Sequence, residues 1–181
     1  MSYSAKNITT NVISITDGQI FLQTELFNAG QRPAIDTGLS VSRVGSAAQI
    51  KAIKQVSGTI KIELANYREL QAFAQFGSDL DKSTKEVLDH GAKVYELLKQ
   101  KQYDSMDVYD QVIQLFTAKH RFIKNVSIEK IAEYESELLS YVHANHKDLL
   151  NDIKENKMIT ASTESKLKEV INNFTNDFIS E

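Results

Sequence analysis

The sequence predicts a mainly α-helical protein, a helical bundle preceded by a small front that mixes short strands with helix. Three observations carry this. All seven glycines and the single proline, Pro33, lie at or before Gly91, so the rest of the chain contains neither breaker. From Ile50 onward the apolar residues recur with a period of about 3.6 rather than two. Before that point turn signals crowd together, at Asp17-Gly18, Gly30, Arg32-Pro33 and the stretch from Gly38 to Gly45. The boundary between the two parts falls at residues 49 and 50.

The front opens on Val12-Ile13-Ser14-Ile15, a β-branched run that reads as a short strand ended by Asp17-Gly18. Gln19 to Ala29 reads as a short helix closed by Gly30. Proline then imposes extended or turn geometry at Arg32-Pro33. A second strand follows within Gly38-Leu39-Ser40-Val41-Ser42-Arg43-Val44-Gly45. So few strands do not make a sheet that stands alone, and their unpaired edges mark the end of a larger domain.

In the back, Ile53, Val56, Ile60, Leu64, Tyr67, Leu70 and Ala74 trace one face of a long helix. Gly77-Ser78-Asp79-Leu80-Asp81 interrupts it. Ser83 with Glu86 has the spacing of a capping box, opening a helix with Val87, Leu88, Gly91, Tyr95 and Leu98 on its inner face. Asp107 is placed to cap a helix through Val112, Leu115 and Phe116. Ser127 is placed to cap the next, carrying Ile131, Leu138, Val142, Leu149 and Ile153. The last helix presents Leu167, Val170, Ile171, Phe174 and Phe178. The sum is a bundle of about five helices.

Composition sets outer limits. The 181 residues are 41% hydrophobic, enough for a core, and no apolar run reaches membrane-spanning length. A net charge of -3 with both signs interspersed gives nucleic acid nothing to hold. There is no cysteine, which removes disulfides and thiolate metal sites. Met1 to Lys6 have no apolar segment of signal-peptide kind, and the reading is a soluble protein of a reducing interior.

Chemistry concentrates on Arg43, one of only four arginines. Strand alternation sets it on the same side as Leu39 and Val41, at the end of a strand expected to be buried. A guanidinium there needs an anion. A structural carboxylate is the commoner partner and a phosphate the other. No GxxxxGK[ST] or GxGxxG motif occurs. His143 and His146, with Glu137, have a loose metal-ligand spacing, but solvated histidines on an amphipathic helix explain them better, and no metal site is predicted. Helix capping accounts for Asp81, and Gln100 and Gln102 read as polar linker residues.

Longer strings go further. Thr10 to Phe21, Arg32-Pro33-Ala34-Ile35 and Gly38 to Gln49 closely resemble the alpha subunit of F-type ATP synthases. So do Tyr67-Arg68-Glu69-Leu70, Ala72 to Asp81, and Glu96-Leu97-Leu98-Lys99-Gln100-Lys101-Gln102-Tyr103. The resemblance covers residues 8–181 and is strongest before Tyr103. Asn7 and Thr9 stand where that family has tyrosine and proline, and Lys119 to Ile123 departs from its usual wording.

The resemblance implies the carboxy-terminal third or so of such a subunit. Residues 1–49 would be the end of a P-loop-type nucleotide-binding domain, and residues 50–181 its helical carboxy-terminal domain. It implies that Arg43 is an arginine finger lent to the adjacent beta subunit, with Ser40 and Ser14 lining or positioning the same phosphate pocket and Ser42 on the same strand. Arg32, Pro33, Gln100 and Gln102 would enclose the adenine end of a regulatory ATP or ADP, whose magnesium ligands lie outside this chain. Ser78, Asp79 and Asp81 would face the central-stalk gamma subunit. Beta subunits are the main partners, with the peripheral stalk or delta subunit as a further one, and neither nucleic acid nor direct membrane insertion is implied. The setting implied is a membrane-associated, proton-transporting ATP synthase. It would sit on the cytoplasmic face of a bacterial membrane or the matrix or stromal face of an organelle inner membrane. With no P-loop, the isolated chain is expected to be inactive. The alternative is a truncated or separately encoded helical interaction module without turnover.

Overall fold

The computed structural model describes residue 12, residues 15–74 and residues 80–180. The chain divides into two compact units, Met1–Gln49 and Ile50–Glu181.

The first unit contains β1 (Gly18–Gln19), α1 (Thr24–Asn28), β2 (Val41–Ser42) and α2 (Gly45–Ala48). The two strands run antiparallel, Gly18 opposite Ser42 and Gln19 opposite Val41. Glycine is required at the first pair. A Cβ on Gly18 would sit 2.5 Å from the Val41 carbonyl oxygen and 2.9 Å from the Ser42 Cα. A further bridge pairs Leu22 with Ile35.

Two expectations for this unit are corrected. The strand expected over Val12–Ile15 is not seen where the chain is described. Val12 and Ile15 have helical backbone, and the Thr16 N–H donates to the Val12 carbonyl at 3.1 Å. Ile13 and Ser14 lie outside the described residues. A β-branched run becomes strand only against a partner, and β2 pairs instead with the expected turn at Gly18. The helix expected over Gln19–Ala29 shrinks to α1 because Gln19 and Leu22 are taken up in pairing, while Gly30 stops it at φ +84°.

The second unit holds α3 (Lys51–Ser57), α4 (Ile60–Ala74), α5 (Lys82–Leu97), α6 (Val108–Lys119), α7 (Ile131–Asn145), α8 (Lys147–Asn156) and α9 (Ala161–Ser180). Two 3₁₀ turns, Phe122–Asn125 and Ile128–Lys130, lie between α6 and α7. α3 packs on α6, α4 on α5, and α7 on α5, α8 and α9. Among the largest fully buried side chains are Tyr134, Phe116, Leu97, Ile113, Ile123, Ile131, Ile153, Leu167 and Ile171. The helical architecture expected from the breaker-free sequence is present. No helix among the described residues is long and apolar enough to cross a membrane.

The helix count is higher than the apolar period suggested. The long helix expected from Ile53 to Ala74 breaks at Gly58-Thr59, two poor helix formers in succession. The helix expected from Ile131 to Ile153 breaks at His146, whose backbone (φ -132°, ψ 42°) is not helical. The capping box at Ser83 is also corrected. Asp81 is the N-cap, its carboxylate accepting from the Thr84 N–H at 2.9 Å, and the Ser83 hydroxyl donates to Asp81 at 2.5 Å. Ser127 precedes a 3₁₀ turn and makes no side-chain cap, whereas Asp107 caps α6 through the Tyr109 N–H at 2.9 Å.

Side chains far apart in sequence close the bundle. Gln55 donates to the Ile159 carbonyl at 2.9 Å and accepts the Ile159 N–H at 2.8 Å, so one amide ties α3 to the segment before α9. Buried Lys93 donates to the Lys124 carbonyl at 2.7 Å and pairs with Asp89 at 2.8 Å.

α4 and α5 meet where Gly91 faces Tyr67. A Cβ at Gly91 would lie 2.5 Å from the Tyr67 Cβ and closer still to its ring, which also packs on Tyr95 with centroids 5.2 Å apart. In an isolated helix Gly→Ala gains up to about 1 kcal/mol. Here the clash falls near the root of Tyr67, where the side chain cannot swing aside, and overpacking costs about 1–3 kcal/mol. Gly91→Ala is therefore expected to lower the urea midpoint, by about 1–2 kcal/mol in stability. A higher midpoint would contradict the close approach.

Candidate functional site

In the first unit Arg43 leaves the end of β2, its N–H donating to the Asp17 carbonyl at 2.7 Å. Its side chain is exposed, as are those of Leu39, Val41 and Ser42. The expectation of a buried strand is thus corrected, because a two-strand ladder covers neither face. Among the described residues no carboxylate forms an ion pair with Arg43.

The turn before Arg43 is built on Asp36, a residue the sequence reading passed over. Asp36 is 3% exposed, and its carboxylate accepts from the Gly38 N–H at 2.8 Å and the Leu39 N–H at 2.9 Å. Its carbonyl accepts from the Ser40 N–H at 3.0 Å. Asp36-Thr37-Gly38 is an Asx-turn signature, so the signal was present in the sequence. The Ser40 hydroxyl accepts from the Phe21 N–H at 3.0 Å and Ser42 from the Gly45 N–H at 2.8 Å. Both serines therefore brace the backbone on either side of Val41, with Arg43 directly after. Ser14 lies outside the described residues.

Arg32 is exposed and curls back over α1. Its guanidinium carbon lies 3.4 Å from the Phe27 ring centroid, and it donates to the carbonyls of Phe27 and Gln31. The Arg32–Pro33 peptide is cis.

In the second unit Gln100 and Gln102 sit in the linker between α5 and α6, both exposed. The Gln100 amide donates to the Asp104 carbonyl and folds the linker on itself. Beneath it is a cleft of about 220 Å³ lined by Leu98, Gln100, Met106, Gln111, Gln114 and Leu115, among others. Gln102 does not line it. Amides over aliphatic and thioether groups suit a flat heteroaromatic ring with donors and acceptors on its edge.

Behind the cleft lies a second arrangement that periodicity did not reveal. Gln114, 8% exposed, gives its amide hydrogens to the Leu97 carbonyl at 2.7 Å and to Glu135 Oε1 at 2.5 Å. Burial pushes the Glu135 carboxyl up to about 7, with Gln114 opposing and Asp104 adding to the rise. The native state then holds a proton that the unfolded chain has already released above about pH 4.5. Stability is expected to fall as pH rises from about 4.5 to about 7 and to level off beyond. The loss is about 1 kcal/mol, because solvent reaches part of the group. Denaturation midpoints of wild type and Glu135→Gln across that range check it. The variant should lack the decline.

Asp81 is exposed and committed to its cap, where hydrogen bonds from Ser83 and Thr84 hold its carboxyl well below the usual range. Ser78 and Asp79 lie outside the described residues. His143 Nε2 sits 2.8 Å from Asp110, and the His146 ring packs against Tyr141. No group of three metal-ligating side chains occurs among the described residues.

Residues 49–174 match the family described as ATP synthase alpha/beta chain, C terminal domain, and residues 4–42 match the ATP synthase alpha/beta family, nucleotide-binding domain. The ATP synthase subunit alpha of Rickettsia bellii is 54% identical over 172 residues, 95% of this chain and 34% of that protein. Its counterpart from Clostridium botulinum is 54% identical over 174 residues, again 34% of that protein. The chain thus spans about a third of the length of these relatives. A helical unit matched across nearly its whole length, behind a strand pair matched to a nucleotide-binding domain, makes this chain a member of the ATP synthase alpha/beta family.

Proposed function

We propose that this chain works as the carboxy-terminal part of the alpha subunit of a proton-translocating F-type ATP synthase. In that role it supplies Arg43 in trans to the active site of a neighbouring beta subunit. The observation that carries the reading is an exposed guanidinium, without an ion-pair partner among the described residues, at the end of a strand pair in a chain 54% identical to proteins named as that subunit. A cation carried at the end of a braced strand can stabilise charge developing on a transferring phosphoryl group. Ser40 and Ser42 position it by bracing the strand, and Ser14 belongs to the same pocket.

Gln100 and Gln102, with Arg32 and Pro33, hold the adenine end of a regulatory ATP or ADP. A side-chain amide can both donate to and accept from a purine edge. The magnesium that accompanies the phosphates would be ligated outside this chain, so no step here runs through it. Beta subunits, the central-stalk gamma subunit and the peripheral stalk or delta subunit are the partners. Ser78, Asp79 and Asp81 face gamma. The complex sits at a membrane, on its cytoplasmic, matrix or stromal face, and couples proton transport to ATP synthesis.

The test is to coexpress this chain with the amino-terminal part of an alpha subunit and a beta subunit, and to compare ATPase turnover of wild type and Arg43→Ala. Equal turnover would remove the catalytic role and leave the helical interaction module as the reading.

A further inference from the structure

The cleft of about 220 Å³ is formed within the second unit, by the linker that follows α5 and by helix α6. Pockets for drug-sized molecules run from about 300 Å³ upward, so this one has room for a single ring system and not for a whole nucleotide. Leu98, Met106 and Leu115 supply its apolar walls, and Gln100, Gln111 and Gln114 bring amides to it.

The three glutamines are not alike. Gln100 donates to the Asp104 carbonyl and Gln111 to the Met106 carbonyl at 2.9 Å, and each keeps a second amide hydrogen in reserve. Gln114 keeps none. One of its hydrogens goes to the Leu97 carbonyl at 2.7 Å and the other to Glu135 Oε1 at 2.5 Å. Turning the amide over would set its oxygen against the Leu97 carbonyl, which can only accept, so the orientation is locked. Gln114 Oε1 itself accepts from no donor among the described residues. The buried side-chain polar atom left without a partner among them is His90 Nδ1, so the Gln114 oxygen is not sealed inside. It opens on the cleft that Gln114 lines. On a residue only 8% exposed, that oxygen is a pre-aimed acceptor, without the rotamer freedom of a surface glutamine.

We propose that Gln114 is a binding residue of this cleft, its fixed oxygen accepting from an exocyclic amino group on a flat heteroaromatic ring. Leu98, Leu115 and the Met106 thioether cover the faces of such a ring, and the amine fills the one acceptor that the fold leaves open. A ring without the amine would exclude water from that oxygen and give it nothing in return. The contact rests on the cleft's own geometry. Identifying the ring with the adenine of the regulatory nucleotide rests on the assignment of Gln100 made above.

The experiment titrates the full, isotope-labelled chain with adenosine and with purine riboside, which is the same ring system without the amine. Adenosine should bind saturably and about threefold to tenfold tighter, which is the worth of one neutral hydrogen bond. The resonance of the Gln114 side-chain carbonyl carbon should move with adenosine and stay in place with purine riboside. Gln114→Met keeps the bulk and loses the acceptor, and it should bind both ligands equally. Loosening of the helix pair alone would weaken both and leave the preference. Adenosine that does not bind, equal affinities in wild type, an unmoved Gln114 carbon or a Gln114→Met chain that still prefers adenosine overturns the proposal. Should Gln114→Met fail to fold, the Gln114 carbon in wild type decides alone. In the coexpressed complex, ADP retention should weaken several-fold in Gln100→Ala and in Gln114→Met alike. Retention that ignores Gln100→Ala, with the chain's preference for the amine intact, would sink the nucleotide assignment and spare the cleft. Retention that needs Gln100 and ignores Gln114→Met would remove Gln114 from that nucleotide's site.

Discussion

Arg43→Ala in the coexpressed complex is expected to lower ATPase turnover by at least about a thousandfold, the lower end of what an arginine finger contributes. That corresponds to about 4 kcal/mol of transition-state stabilisation. Assembly should not change, because Arg43 is exposed and no ion pair or hydrogen bond among the described residues rests on its guanidinium, and such substitutions cost within about 0.5 kcal/mol. Arg43→Lys separates charge from geometry. Lysine keeps the cation but offers a single flexible point charge where arginine presents a planar fork. Most of the loss should persist in that variant. Turnover of Arg43→Ala within a few-fold of wild type, in a complex of normal composition, would end the assignment.

Tyr134→Ala is expected to destabilise the helical unit by about 3–5 kcal/mol, the range for emptying a buried aromatic site. Tyr134 is fully buried, and its ring meets Phe174 and Phe178 edge-on with centroids 5.4 and 5.2 Å away. Its hydroxyl lies 2.7 Å from that of Thr175, which already donates to the Ile171 carbonyl at 2.6 Å, so Tyr134 is the donor. Burial pushes the phenol up to about 12, and the proton stays in place at any working pH. Tyr134→Phe keeps the ring contacts and loses that one bond, for about 1 kcal/mol. The two variants therefore separate packing from hydrogen bonding in one denaturant series. A loss below about 1 kcal/mol in the alanine variant would contradict the packing.

Much of the helical unit was legible because burial imposes period on a helix. Leu167, Val170, Ile171 and Phe178 are all buried on α9 as their spacing indicates, and Asp107 caps α6 where its side-chain chemistry suggests. The same period ran straight through Gly58-Thr59 and His146, where helices end. An apolar stripe can continue across a break whenever the next helix packs against the same core. Around the candidate site, the backbone bracing by Ser40 and Asp36 was within reach of turn chemistry. The exposure of Arg43 was not, because alternation along a strand says which residues share a side and nothing about what covers it.

Local chemistry in the chain itself thus decided the helical class, the position of most inner faces, the caps of single helices and, through long matching strings, the family. Tertiary structure alone decided the Gln55–Ile159 tie, the approach of Gly91 to Tyr67 and the Leu97–Gln114–Glu135 junction. Those depend on residues separated by 104, 24 and at least 17 positions, which come together only when helices pack. Periodicity records how each element meets a core in general. Which side chain from another element stands opposite is set by how the chain closes on itself, and there a glutamate's proton and an arginine's freedom are determined.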